Sequence, residues 1–494
     1  MLKTFVLVAL TLLGGCKFVE DRGASTTPDE QDQSGLTATR NIILSSTSDY
    51  QSMGPSAIQS GDVISCQPGV VINQSPGEHV FSIVGVENVT IRDCTIAGLG
   101  VVYNGPPLYS NGISETAIYI RNAKNIHIRN VVLRNISGQA GITVYDSEQT
   151  YIDRAQVLDF SFAGINILGS SKTVEVKNSR VEKSASQLNQ FAQYRPLEYG
   201  YQISSNSNGR YPEHVTIMDS VCKNLIHWDC YDSHGGNYLR WLRNRAENSV
   251  KCYDAHLKKT QASQSIGNIV LIGNYCGGTS DARAGQRFPR MQSNQMVRDA
   301  SGNIVYDYSE VAQGIFVGGA AYYPQGNSSL EVSFLRNVTI SNNRVENVGN
   351  FGSLADKRSG IGAQYALNTQ IVKNEVYNSR VNGISLVQLD GFSVYGNQLL
   401  SNSYAGIYLG LGNRFSTEAQ VYRPGNVIAT NKIANGSVYA PRVTQWGISV
   451  ASGVSNIEGL QSGTNSICLG SLNQSYQSAN FPQINSILSL GNCL

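Results

Sequence analysis

Apolar and polar positions alternate in short runs along most of the chain, and the runs recur. A nine-residue phrase appears as NVTIRDCTI (88–96), NIHIRNVVL (125–133), HVTIMDSVC (214–222), NIVLIGNYC (268–276), NVTISNNRV (337–345), NTQIVKNEV (368–376) and GFSVYGNQL (391–399). Two apolar residues spaced by one polar residue share a strand face. A polar corner follows, often with Asn, and then another apolar residue. Between copies lies a second short strand that usually opens with Gly, as in GITVYD, GINILG, GIFVGG, GISLVQ and GIYLGL.

A repeat this small cannot bury its own apolar face, so consecutive repeats must stack. Short strands, Asn corners and a recurrence of about 22–26 residues predict an all-β solenoid, a right-handed parallel β-helix of one strand-bearing coil per repeat. Strands of successive rungs then pair in parallel about 4.8 Å apart. A propeller needs about 40 residues per blade and fits the spacing poorly. The opening SAIQSGDVISCQPGVVIN (56–73) resembles the first coil of the pectate-lyase-like β-helix superfamily. Longer gaps at 184–213, 277–312, 319–334, 351–363 and 411–425 interrupt the rhythm. Insertions of this kind tend to gather on one flank of a solenoid and form a binding wall. The last 60 or so residues lose the phrase, as a cap over the open end would.

The N-terminus differs in kind. The apolar run Phe5–Leu13 follows a single Lys and is too short for a membrane span, so it reads as a signal segment. Leu13-Gly14-Gly15-Cys16 resembles a bacterial lipobox. That resemblance implies cleavage before Cys16, lipidation of its thiol and a membrane partner through the acyl chains. Lys17 after the cysteine resembles the outer-membrane sorting pattern. The organisation expected is therefore a signal peptide (1–15), a lipidated and polar tether (16–40), a β-helix (41–435) and a final rung and cap (436–494).

Lys and Arg total 37 against 35 Asp and Glu, so no overall charge points to nucleic acid. Nine cysteines, less the lipidated one, leave eight that an exported chain can oxidise. Cys222 and Cys276 fall at the apolar position after the corner and read as buried thiols. Cys230 and Cys252 read as stacked thiols or a bridge between rungs, and Cys468 with Cys493 could close a terminal loop.

The chemistry concentrates in CYDSH (230–234) and CYDAH (252–256), 22 residues apart in a chain with six histidines. Twenty-two residues is one rung, so Tyr231 should stack on Tyr253, Asp232 on Asp254 and His234 on His256. Desolvation favours the phase with Tyr231, Ser233, Tyr253 and Ala255 inside and Cys230, Asp232 and His234 outside. The direction of Asp229 stays open. Paired carboxylates and imidazoles tune one another's proton affinities, as acid/base catalysis requires. Arg240, Arg243, Lys251 and Lys258 surround the phrase in sequence and would draw an anionic ligand. Trp241 aligns with the inward Ile340 and reads as core.

Asp232-Ser233-His234 is similar to the Asp-Pro-His core of alginate C5-epimerases. The resemblance implies Asp232 and His234 at a sugar C5 proton, with Asp254 completing the site from the next rung and Tyr231 the nearest phenol. The family's Tyr position is Asp229 here, and its Pro is Ser233. The expected activity is proton abstraction from an acidic polysaccharide, ending in elimination or epimerisation. A polygalacturonase-like hydrolysis by paired carboxylates is a further option, and a non-catalytic glycan-binding or adhesive scaffold is the alternative class. Asp232, His234, Asp254 and His256 also offer mixed N/O metal ligands, but no HExxH or CxxC spacing supports a metal, and no cofactor is assigned.

Overall fold

A computed structural model describes residues 40–477, except 51–56, 99–115, 137–139, 185–197, 258–265, 280–286, 323–330, 349–358, 411–420, 435–445, 451–454, 459–464, 469–473 and stretches of four residues or fewer. The signal segment, Cys16, the tether, Lys258, His227 and Cys493 lie outside the described residues, as do most of the five insertions. Among the described residues no helix is long and apolar enough to cross a membrane.

The described chain coils as a right-handed parallel β-helix. Each rung carries three strands, and each strand pairs in parallel with its counterpart on the next rung. Sheet I contains Ala140–Tyr145, Ala163–Leu168, Tyr199–Ser204, Asp229–Ser233, Lys251–His256 and Gln313–Gly318. Sheet II contains Glu148–Asp153, Lys172–Lys177, Glu213–Met218, Asn237–Leu242 and Gly267–Ile272. Sheet III contains Arg180–Glu182, Val221–Lys223, Arg245–Glu247, Tyr275–Gly277 and Arg344–Glu346. The recurring phrase is a sheet II strand, a corner and a sheet III strand; the Gly-opened segment is sheet I. Parallel pairing continues through Trp446–Val450 and Gln474–Gln477, so the coil runs well past residue 435. Residues 478–494, part of the stretch expected to hold the cap, lie outside the described residues.

Inward side chains form ladders. Ile142, Ile165, Tyr201, Tyr231, Tyr253, Ile315 and Ile361 follow one another in register and are buried. Each such side chain contributes about 1.5–3 kcal/mol on burial. Trp241 joins the core in register with Leu271 and Ile340, as the sequence predicts.

The corners between sheets II and III hold a buried amide ladder. Asn274 Nδ2 donates to Asn343 Oδ1 at 3.0 Å, and Asn343 repeats the contact to Asn374 at 2.9 Å. Asn397, Asn431 and Asn465 continue it. Each Asn also donates to a strand carbonyl of the preceding rung, as Asn374 does to Ile340 at 2.9 Å. Gly273, Asn342, Lys373, Gly396 and Thr430, each just before one of these Asn residues, take positive φ, a backbone that Gly and Asn accept most readily.

The three sheets differ on their outer surfaces. Sheet II strands alternate buried and exposed, as in Glu213–Met218. Sheet I strands are buried on both faces: every residue of Tyr199–Ser204 and Asp229–Ser233 is buried. Outward polar residues here, including Thr143, Asn166 and Gln202, are out of contact with water. The CYDSH and CYDAH strands belong to this sheet.

Candidate functional site

The two phrases stack as the spacing predicts. Tyr231 pairs with Tyr253, Asp232 with Asp254 and Ser233 with Ala255. The tyrosines form a parallel stack with Tyr201, with ring centroids 4.8 Å apart at each step. Tyr231 lies wholly in the core and donates to the Ser220 carbonyl at 2.7 Å. Burial pushes its phenol far above the ordinary tyrosine range. It therefore has no access to a substrate, and the expectation of a catalytic Tyr231 is corrected.

Cys230 also departs from expectation. It faces inward, as Tyr231 does, and forms a disulfide with Cys222. Cys252 likewise bonds Cys276, and Cys66 bonds Cys94. Cys222 and Cys276 are buried, but as half-cystines, and each bridge ties a sheet III strand to the neighbouring sheet I strand. Strict alternation fails because the chain bends as it enters sheet I, turning two consecutive residues inward. Other rungs carry Gly at this position. A Cβ at Gly164 would stand 2.4 Å from Val181, and one at Gly200 would stand 2.6 Å from Cys222 Sγ. Only glycine, or a cysteine bonded to its opposite residue, occupies this column from Gly141 to Gly314. Aligning GINILG with CYDSH would have exposed this.

Asp232, His234, Asp254 and His256 point outward, and Asp229 joins them. The three carboxylates are buried, with Asp232 at 0% and Asp254 at 2% side-chain exposure. The imidazoles reach further out, at 14% for His234 and 30% for His256. Their ring centroids lie 4.7 Å apart with planes tilted by 62°. His256 Nδ1 lies 2.9 Å from Asp254 Oδ1, and His234 Nε2 lies 3.3 Å from Asp232 Oδ2. The expected juxtaposition holds, but the carboxylates stand behind the rings instead of beside them.

Lys251 sits among the carboxylates. Its Nζ is 2.6 Å from Asp254 Oδ2 and 3.5 Å from Asp229 Oδ2, and it lies over the Trp228 ring at 5.5 Å. The burial of Asp254 opposes ionisation, but Lys251 and His256 outweigh it and hold the carboxyl below the usual range. An ionised Asp254 favours the tautomer with the His256 proton on Nδ1 and the lone pair on Nε2. Lys251 thus acts on the cluster itself, which corrects its expected role as a substrate-binding cation.

Arg240 and Arg243 are not brought to this cluster. Arg240 is an exposed residue of sheet II, in register with Thr216 and Val270. Arg243 occupies a corner at positive φ, with its guanidinium on Asp219 at 2.6 and 2.8 Å. Sequence proximity misled here because the Gly235–Gly236 turn carries the chain off sheet I. A Cβ at Gly235 would overlap the Tyr211 ring at 2.1 Å, so the sharp turn needs glycine.

Sequence reasoning singled out Trp228 as a possible platform for a sugar ring but missed Tyr199 and Phe162 beside it. Tyr199, on the rung before Asp229, meets the His234 ring edge-on at 5.8 Å and Trp228 at 6.3 Å. Phe162 extends this aromatic patch. The in-register reading of YGYQIS against DCYDS contained that signal.

No family model matches the chain, and no curated protein matches it. Several solved structures share the coiled architecture. The Streptococcus pneumoniae surface protein and adhesin PfbA has a TM-score of 0.45 at 12% identity, over 75% of this chain and 88% of that one. An alginate lyase from Paenibacillus sp. has a TM-score of 0.36 at 16% identity, over 76% and 99%. A tailspike protein of E. coli bacteriophage HK620, in complex with a hexasaccharide, has a TM-score of 0.45 at 10% identity, over 85% and 66%. All are parallel β-helix proteins. Likeness at this level is a likeness of fold and says nothing of the reaction.

Proposed function

We propose that the chain is a carbohydrate-active enzyme of the cell envelope that abstracts the C5 proton of a uronate in an acidic polysaccharide. The observation that carries this reading is the Asp254–His256 pair. A buried, ionised carboxylate orients a half-exposed imidazole with Nε2 directed away from it, the arrangement of a general base. His234, one rung away, turns Nε2 toward Asp232 and meets the His256 ring at 4.7 Å, forming the floor beside the base. Phe162, Tyr199 and Trp228 offer apolar rings beside it for a sugar face.

Elimination of a 4-linked sugar and epimerisation at C5 share this first step. Hydrolysis by two carboxylates fits less well, because Asp232 and Asp254 are buried behind the imidazoles and have no open approach to a glycosidic oxygen. Anchoring at the outer membrane through Cys16 belongs to the same proposal and rests on the N-terminal sequence.

A screen of acidic polysaccharides tests it. Rising ultraviolet absorbance of an unsaturated uronate marks elimination, and solvent deuterium appearing at C5 in intact polymer marks epimerisation. If neither signal appears with any uronate polymer, the reading is wrong and a binding scaffold replaces it.

A further inference from the structure

Asp229, Asp232 and Asp254 are buried together on neighbouring rungs, with Lys251 beside Asp229 and Asp254 and the two imidazoles in front. Two trios of ligand atoms lie within 4.8 Å of one another, Asp229/Asp232/Asp254 and Asp232/His234/His256. The ammonium of Lys251 already serves two of the carboxylates, Asp229 and Asp254. The mixed trio lies further out, where its two rings approach solvent.

We propose that Asp232, His234 and His256 bind a divalent transition ion of the zinc, cobalt or nickel class. Two imidazoles and one carboxylate favour these ions over calcium or magnesium, which take oxygen ligands. Two ligands about 2.1 Å from a tetrahedral metal stand about 3.4 Å apart. The 3.3 Å between His234 Nε2 and Asp232 Oδ2 matches that edge and is longer than a good hydrogen bond. His256 supplies the third ligand, its ring lying within 4.8 Å of the other two donors. Asp254 on Nδ1 gives His256 the carboxylate partner that metal-bound histidines usually have, leaving Nε2 for the ion. Three protein ligands leave a coordination position open toward solvent. A bound ion occupies the nitrogen assigned above as base, so metal and proton abstraction compete for His256.

Calorimetric titration of the purified, metal-stripped protein with zinc chloride tests the site. We expect one zinc per chain, at least 10-fold weaker binding in Asp232→Asn and in His234→Gln, and no comparable uptake of calcium. In the wild type, zinc should move the ring resonances of His234 and His256 but not those of His127, a readout that survives even if a variant misfolds. Absence of stoichiometric binding, unchanged affinity in folded variants, or a zinc response that spares His234 and His256 would each overturn the proposal.

Discussion

His256 Nδ1 lies 2.9 Å from Asp254 Oδ1, and the other oxygen of the same carboxylate lies 2.6 Å from Lys251 Nζ. One buried carboxylate thus orients the candidate base on one side and is held ionised from the other. Coil stacking brings all three residues onto a single strand, Lys251–His256, and places Asp232 and His234 on the rung beside it.

Lys251→Met leaves the buried carboxylates of Asp229 and Asp254 without this ammonium. Breaking a buried ionic contact on one side costs about 3–5 kcal/mol, which urea denaturation near neutral pH should detect. The pH dependence has a definite sign. Asp254 has a folded-state pKa below its unfolded value of about 3.9, so its contribution is present above that pH and is lost as pH falls through the lower folded value. The stability gap between wild type and Lys251→Met should therefore narrow below about pH 4. A gap that stays constant with pH would contradict the ion-pair account.

Asn374→Ala opens the amide ladder. Its side chain donates to Ile340 O and Asn397 Oδ1, and accepts from the backbone and the amide of Asn343. Leaving several buried partners unmatched should cost about 3 kcal/mol or more. Asn368→Gly, at φ 55° on the surface where its amide donates to Asn337 Oδ1 at 2.8 Å, should cost less than about 1 kcal/mol because glycine accepts that backbone. Thermal unfolding of the two variants gives the comparison.

Peptide mapping under non-reducing conditions should recover Cys66 linked to Cys94, Cys222 to Cys230 and Cys252 to Cys276. A bridge between Cys230 and Cys252 would contradict this pairing. Loop closure over 24 residues is worth about 3 kcal/mol, so removing Cys252–Cys276 should lower the melting temperature measurably.

His127 lies half-buried against Tyr151, beside Arg129 and Lys177. Burial first, then the two cations, lower its pKa to about 4. It should therefore stay neutral in the folded state down to that pH, with NMR titration of its ring as the check. Because the folded value lies below the unfolded 6.5, this residue contributes stability that is present above pH 6.5 and fades between 6.5 and 4.

The coil was legible because its signals are local and repeated: Val89 and Ile91, Ile126 and Ile128, Val215 and Ile217 all mark the same inward face. The stacking of Asp232 on Asp254 followed from the 22-residue spacing alone. Less legible were features set by bends and by neighbours distant in sequence. The doubled inward turn at Cys230–Tyr231 breaks the two-residue period, and only comparison with Gly164 and Gly200 reveals it. The roles of Lys251, Arg240 and Arg243 depended on where the chain leaves sheet I, which charge spacing does not encode. Burial of the carboxylates arises because sheet I is covered on both faces, a tertiary property.

The most direct test of the proposed activity compares wild type, His256→Ala and Asp254→Asn on whichever uronate polymer responds in the screen, with folding verified by circular dichroism. Removing a general base should lower kcat by about 10²–10⁴-fold, and Asp254→Asn should lower it by a smaller factor with little change in KM. Turnover by folded His256→Ala at the wild-type rate would contradict the assignment of His256 as the base.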